Sequence, residues 1–309
     1  MNTISVGVLR GGPSSEHDVS LKTGHTMLTS LPPEQFAVRD IYIDKQGTWH
    51  ERGIPMRPEQ ILPSLDMALI GLHGAYGSNG EVQKLLEQYG VPYGGTDSTG
   101  SLLASHSAFA KHHAEEAGLK TPRYHLVTSA DDLENDTAEI VRTLLQPVTL
   151  KPVRGGQAYK VSGYPSIISV LETLFREGAN GVLVEERVRG KEVSVGLIEH
   201  VRGEELYALP VLEKNAERFL CPAPLPTLTR DELMGSARRM HRALGLRHYS
   251  SSRFVVSPGG IYYIETDTLP ALTPNSVFTE KLKSVGISLS NFFTHLAHLA
   301  LKVRDLKPA

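Results

Sequence analysis

The chain opens on an almost unbroken apolar run, Ile4-Ser5-Val6-Gly7-Val8-Leu9, followed by Gly11-Gly12 and by Ser14-Ser15-Glu16 ahead of Val19 and Leu21. Such a run reads as a strand buried on both faces, the glycines as a tight turn, and the Ser-Ser-Glu group as a helix cap. The order returns at residues 67–72, a second apolar strand that ends at His73-Gly74, and at residues 81–89, where Val82, Leu85 and Leu86 share one helical face. Strands alternating with helices predict a parallel α/β lobe over residues 1–95, of Rossmann-like character, closed by the break at Pro92-Tyr93-Gly94-Gly95.

Past that break the pattern changes. Residues 101–117 read as one helix ended by Gly118, and residues 166–177 and 231–244 as two more. Strand patterns at 148–152, 181–186, 192–199, 206–211, 253–257 and 261–265 follow one another as hairpins do, which predicts an α+β arrangement. We divide this part into residues 96–185 and 186–309.

Composition narrows the function classes. A chain of 309 residues with 40% hydrophobic content can bury several cores. Lys+Arg 32 against Asp+Glu 34 gives no overall field for nucleic acid or a membrane surface. Cys221 is the only cysteine, so an internal disulfide framework and a multi-cysteine metal site are excluded, and packing is its expected role. The opening strand is not a basic stretch followed by an apolar signal core, and no apolar run approaches the ~18 residues of a membrane span. The expectation is a soluble, cytoplasmic protein.

Candidate chemistry sits at three places. Lys151 closes an apolar strand before Pro152-Val153-Arg154-Gly155-Gly156, a loop that is either structural or a cradle for phosphates, with a point charge beside backbone that can come close. Glu185, Glu186, Arg187 and Val188 link one strand to the next, which starts at Gly190-Lys191-Glu192. That link is either a solvated hairpin or a backbone edge with a carboxylate for ribose. Glu265 and Asp267 end an apolar strand at i and i+2, on one face, where they are either surface charges or oxygen ligands for magnesium.

The order of these pieces resembles the D-alanine–D-alanine ligase family of ATP-grasp proteins along essentially the whole chain. Supporting runs are Gly80-Glu81-Val82-Gln83, Glu116-Ala117-Gly118-Leu119, Leu183-Val184-Glu185 and Leu269-Pro270 before Leu272-Thr273. The resemblance implies three lobes, ATP between the central and C-terminal ones, and D-alanine between the N- and C-terminal ones. It implies that Glu16 orients the first D-alanine with help from Ser20 and His73, and that Ser276 lies near the second. It gives Lys151 the phosphates, Glu185, Glu186 and Val188 the base, and Glu192 the ribose, and it gives Glu265 and Asp267 a magnesium ion. A homodimer remains open beside a monomer.

Several positions depart from the family pattern. The aspartate–lysine pair opening the central helix falls on His106-Ser107, and a Gly-Ser-Ser-Val-Gly lid on Gly156-Gln157-Ala158-Tyr159-Lys160. An arginine and a metal-binding aspartate fall on Ser251 and Arg253, an oxyanion-donor glycine falls on Ala271, and a long substrate loop is reduced to residues 212–218. These changes predict a family member whose ligase activity is impaired or lost. An active ligase and a nucleotide-free interaction protein are the two alternatives.

Overall fold

A computed structural model describes residues 3–215 and 218–305. The first sheet takes β1 (Ile4–Gly11), β2 (Phe36–Ile43), β3 (Trp49–Glu51), β4 (Ile54–Met56), β5 (Met67–Ile70) and β6 (Tyr93–Gly94) in the order β4-β3-β2-β1-β5-β6. Neighbours from β2 to β6 run parallel, while β2, β3 and β4 pair antiparallel as a meander. The expected parallel lobe is therefore a mixed sheet, because short turns carry β2 straight back into β3 and β4. Central β1 explains its own sequence: Val6, Val8 and Leu9 are wholly buried, since helices cover both faces.

Helix α1 (His17–Ser30) follows β1; α2 (Pro58–Ile61) and α3 (Glu81–Gln88) flank β5 in sequence. The helix expected over 101–117 is two, α4 (Ser98–Ser105) and α5 (Ser107–Glu116). His106 breaks it in an extended conformation, and its side chain accepts the Phe109 N–H at 3.4 Å. The Ser107 N–H is thereby free to bond the Val153 carbonyl at 2.9 Å, which ties the start of α5 to the second sheet.

That second sheet, β7 (Tyr124–Val127), β8 (Val148–Pro152), β9 (Tyr159–Val161) and β10 (Val182–Glu186), is antiparallel in the order β7-β10-β8-β9, with α6 (Leu133–Thr143) and α7 (Tyr164–Arg176) packed over it. Tyr159 and Lys160, expected in a lid, instead extend along β8 as an edge strand, pairing with Leu150 and Thr149. Extended backbone has no need of glycine there.

The third sheet holds β11 (Lys191–Val201), β12 (Glu204–Ala208), β13 (Leu212–Lys214), β14 (Phe219–Leu220), β15 (Tyr249–Ser257) and β16 (Gly260–Asp267). The reduced loop at 212–218 is the β13–β14 hairpin, and its positions 216–217 lie outside the described residues. Helix α8 (Thr227–Ala243) packs on this sheet together with α4 and α5. Two more helices follow, α9 (Val277–Ser284) and α10 (Leu289–Asp305). The second of these packs on β5 and β6 of the first sheet while still touching β11 and β15, so Phe292, Phe293 and Leu296 share one core with Val6 and Leu69.

Candidate functional site

Strands β8 and β10 place Lys151 and Glu185 on one face of the second sheet, with Lys151 Nζ 3.1 Å from Glu185 Oε1. Glu185 Oε2 lies 2.9 Å from Nζ of Lys111 on α5. Lys111 is 1% exposed, and its ammonium stands 5.6 Å from the Tyr124 ring centre. Burial by itself pushes Glu185 up, but the two lysines outweigh it and hold the carboxyl below its usual range. Burial pulls Lys111 below the usual lysine value, against the attraction of Glu185. Two ammonium groups against one carboxylate leave a positive surplus where β8 runs into the 152–157 loop. Such a place attracts an anion.

One turn after Ser107, where a cation is expected to be lost, Lys111 brings another ammonium to the same helix. Sequence reading passed over it, although Lys111 falls on the buried face with Ala108 and Ala114, and a charge on an apolar stripe is a signal of its own. Glu186, one residue beyond Glu185, points elsewhere: its Oε1 accepts the Leu145 N–H at 2.8 Å and lies 3.7 Å from Arg123. Val188 is half-buried in the connection, and Glu192 stands exposed near the start of β11.

A second group joins the first and third sheets. Glu16 caps α1 by position alone, with no side-chain capping bond, and its exposed carboxylate stands next to Gly74. The Ser14 hydroxyl accepts the Glu16 N–H at 3.1 Å at the entry to α1 and donates to the His73 carbonyl at 2.6 Å. Ser20 is fully buried; its hydroxyl donates to Glu16 O and accepts the His73 N–H at 2.9 Å. His73 closes the bridge. Its Nδ1 donates to Leu269 O at 2.9 Å, so its Nε2 accepts from Thr23 Oγ1 at 2.8 Å. Burial lowers its pKa and keeps the ring neutral.

Leu269 leads on to the acidic strand end, since its N–H donates to Asp267 Oδ1 at 2.9 Å. Asp267 is exposed on one side, yet protein packs around the rest of it, and that burial pushes its pKa up to about 6. Glu265, on the same face, is held by Arg253 Nη2 at 2.9 Å, with the two side chains 48% and 50% exposed. Ser276 caps α9, its hydroxyl donating to Ala271 O and accepting the Thr279 N–H.

Sequence-family profiles agree with this layout: one described as D-ala D-ala ligase N-terminus matches residues 5–62, and one described as D-ala D-ala ligase C-terminus matches residues 114–298. A D-alanine–D-alanine ligase of Geobacter sulfurreducens is 31% identical over 94% of this chain and 92% of its own length. The Geotalea uraniireducens ligase is 31% identical over 98% of each. The chain belongs to the D-alanine–D-alanine ligase family.

Its fold is that of the ATP-grasp ligases. The Coxiella burnetii D-alanine–D-alanine ligase structure superposes with a TM-score of 0.88 at 19% identity, covering 99% of this chain and 96% of that one. The Bacillus anthracis enzyme complexed with ATP superposes at 0.85 with 25% identity, covering 99% and 100%. Against the magnesium ion of D-alanine–D-alanine ligases the fit is poor. Arg253 already neutralises Glu265, and one oxygen of Asp267 is taken by the Leu269 N–H. Among the described residues no group of three metal-ligating side chains is assembled.

Proposed function

We propose that this protein binds ATP between its second and third sheets and D-alanine between its first and third, and that its ligation of two D-alanines is impaired. Lys151 and Lys111 take the phosphates, with Glu185 keeping them in place. The connection of Glu186 and Val188 offers the base its backbone edge, and Glu192 the ribose its carboxylate. Glu16 orients the first D-alanine, Ser20 and His73 fix the loop that presents it, and Ser276 lies near the second. The Arg253–Glu265 pair carries the proposal of impairment, because it sets a fixed cation where the reaction needs oxygen ligands for a mobile one.

A fully active ligase is the second reading, favoured by relatives that match along nearly the whole chain. The nucleotide-free alternative is disfavoured by the surplus charge at Lys111, Glu185 and Lys151. Release of ADP and formation of D-alanyl-D-alanine, measured with ATP, magnesium and D-alanine, separate these readings. A small fraction of the rate of the Bacillus anthracis enzyme is expected; an equal rate overturns the impairment, and absence of any ATP binding overturns the site.

A further inference from the structure

Gly196 on β11, Ser251 on β15 and Asp267 on β16 lie in one row across the third sheet, so Ser251 and Asp267 face the same side. Helix α9 covers one end of that row, where a side chain on Gly196 would strike Phe278. The other end of the row is the exposed Asp267, and in the next row on that face Arg253 and Glu265 stand open. Half-buried Ser251 is the boundary between the covered and open parts.

From the covered side Lys281 of α9 reaches this boundary. It is wholly buried, and its Nζ lies 3.3 Å from Ser251 Oγ. Among the described residues no carboxylate lies within ion-pair distance of it. The titratable group that faces it is the Cys221 thiol, which burial pushes up and so keeps neutral. Neighbouring Glu280 is spent on Lys283, at 2.7 Å. An ammonium with three donors, one hydroxyl partner and no counter-ion is costly to bury.

We propose that Lys281 and Ser251 form an anion subsite, in which the buried ammonium donates to Ser251 Oγ and aims the hydroxyl proton at an anionic oxygen on the open side of the sheet. Lys281 is a positioning residue here, acting through Ser251. Two sources share the required chemistry, the carboxylate of an amino acid and a phosphoryl group. The arrangement returns, from a different element, a positive charge of the kind that the family pattern carries at position 251 itself.

Burial pulls Lys281 down to about 7, so above neutral pH the empty protein holds it mostly as the amine, which accepts the Ser251 proton instead. An arriving anion turns the hydroxyl outward and restores the ammonium. Binding at pH 8 therefore takes up a proton, approaching one per anion.

Calorimetry of the full chain in two buffers of different ionisation enthalpy reads that uptake with no mutation needed. Inorganic phosphate, D-alanine and D-alaninol, which lacks the carboxylate, are the probes. Uptake with D-alanine but not D-alaninol assigns the subsite to a carboxylate; uptake with phosphate alone assigns it to a phosphoryl group. The D-alanine arm rests on the proposed function, whereas the phosphate arm does not, so the subsite survives if amino-acid binding fails. Lys281→Met should abolish the uptake, and Ser251→Ala should weaken the anion roughly tenfold while leaving the amine in place. No uptake with any probe, or equal uptake in Lys281→Met, overturns the subsite even for a protein that proves to be an active ligase.

Discussion

Arg253 and Glu265 face each other across the β15–β16 ladder, with the guanidinium Nη2 2.9 Å from the carboxylate at the open end of the sheet. Both side chains are about half exposed, and a pair so well solvated is worth under ~1 kcal/mol. The carboxylate is therefore recoverable. Arg253→Asp removes the competing cation and adds an oxygen ligand on the face of Glu265 and Asp267. It should strengthen magnesium-dependent ATP binding by roughly tenfold or more, read by titration with and without magnesium. Equal magnesium dependence in the two proteins would show that Arg253 does not occupy the metal position.

Glu185 is the shared counter-ion of Lys111 and Lys151, so Glu185→Leu leaves two cations without one. Breaking a buried pair in this way costs about 3–5 kcal/mol, and a lowered denaturation midpoint is expected. Lys151→Met should act otherwise, since Lys111 still pairs with Glu185. It should lower ATP affinity with little change in the midpoint; the reverse pattern would make the cluster purely structural.

Protonation of His73 would take away the lone pair that accepts from Thr23. Burial holds its pKa below the ordinary 6.5, so the unfolded chain binds the extra proton first as pH falls. The contribution of His73 is thus present above 6.5 and is lost progressively as pH drops below it. His248, lowered by burial to about 4, acts in the same direction. Thermal midpoints between pH 5 and 8 should fall on acidification, and less steeply in His73→Asn, where the His73 contribution is gone and those of His106 and His248 remain. An unchanged slope in the variant would refute this.

Gly24 lies inside α1 and yet packs where a side chain would collide with Cβ of Arg10, while a Cβ on Gly71 would approach the Gly24 Cα to 3.1 Å. Two glycines let helix and strand end meet closely. Gly24→Val should therefore destabilise by roughly 1–3 kcal/mol, despite removing a weak helix former. A rise in the denaturation midpoint would contradict the close approach.

Strand β1 and the strands around Lys151, Glu185 and Glu265 were legible because their runs are predominantly apolar. Strand β2 was not, for Arg39 and Asp40 sit in its middle; pairing satisfies both charges, Arg39 with Glu51 at 2.6 Å and Asp40 with Arg10 at 2.6 Å. Cross-strand partners of this kind leave no trace in a single strand's periodicity. Lys111 and Lys281 were missed for a related reason. Each occupies an apolar helix face, and what it touches, Glu185 or Ser251, is far away in sequence. The interruption at His106 likewise depends on a bond to Val153 that no local pattern records.

The helix α10 has a consequence for the order of events during synthesis. Phe292, Phe293, Leu296, Ala297 and Ala300 fill the core built by β1 and β5, so these strands, made well before α10, lack that part of their apolar cover until residues 292–300 have followed. Until then part of the apolar surface of those strands stays open to solvent. A nascent chain stalled after residue 285 should be cleaved by protease within residues 1–95, and one released at full length should resist.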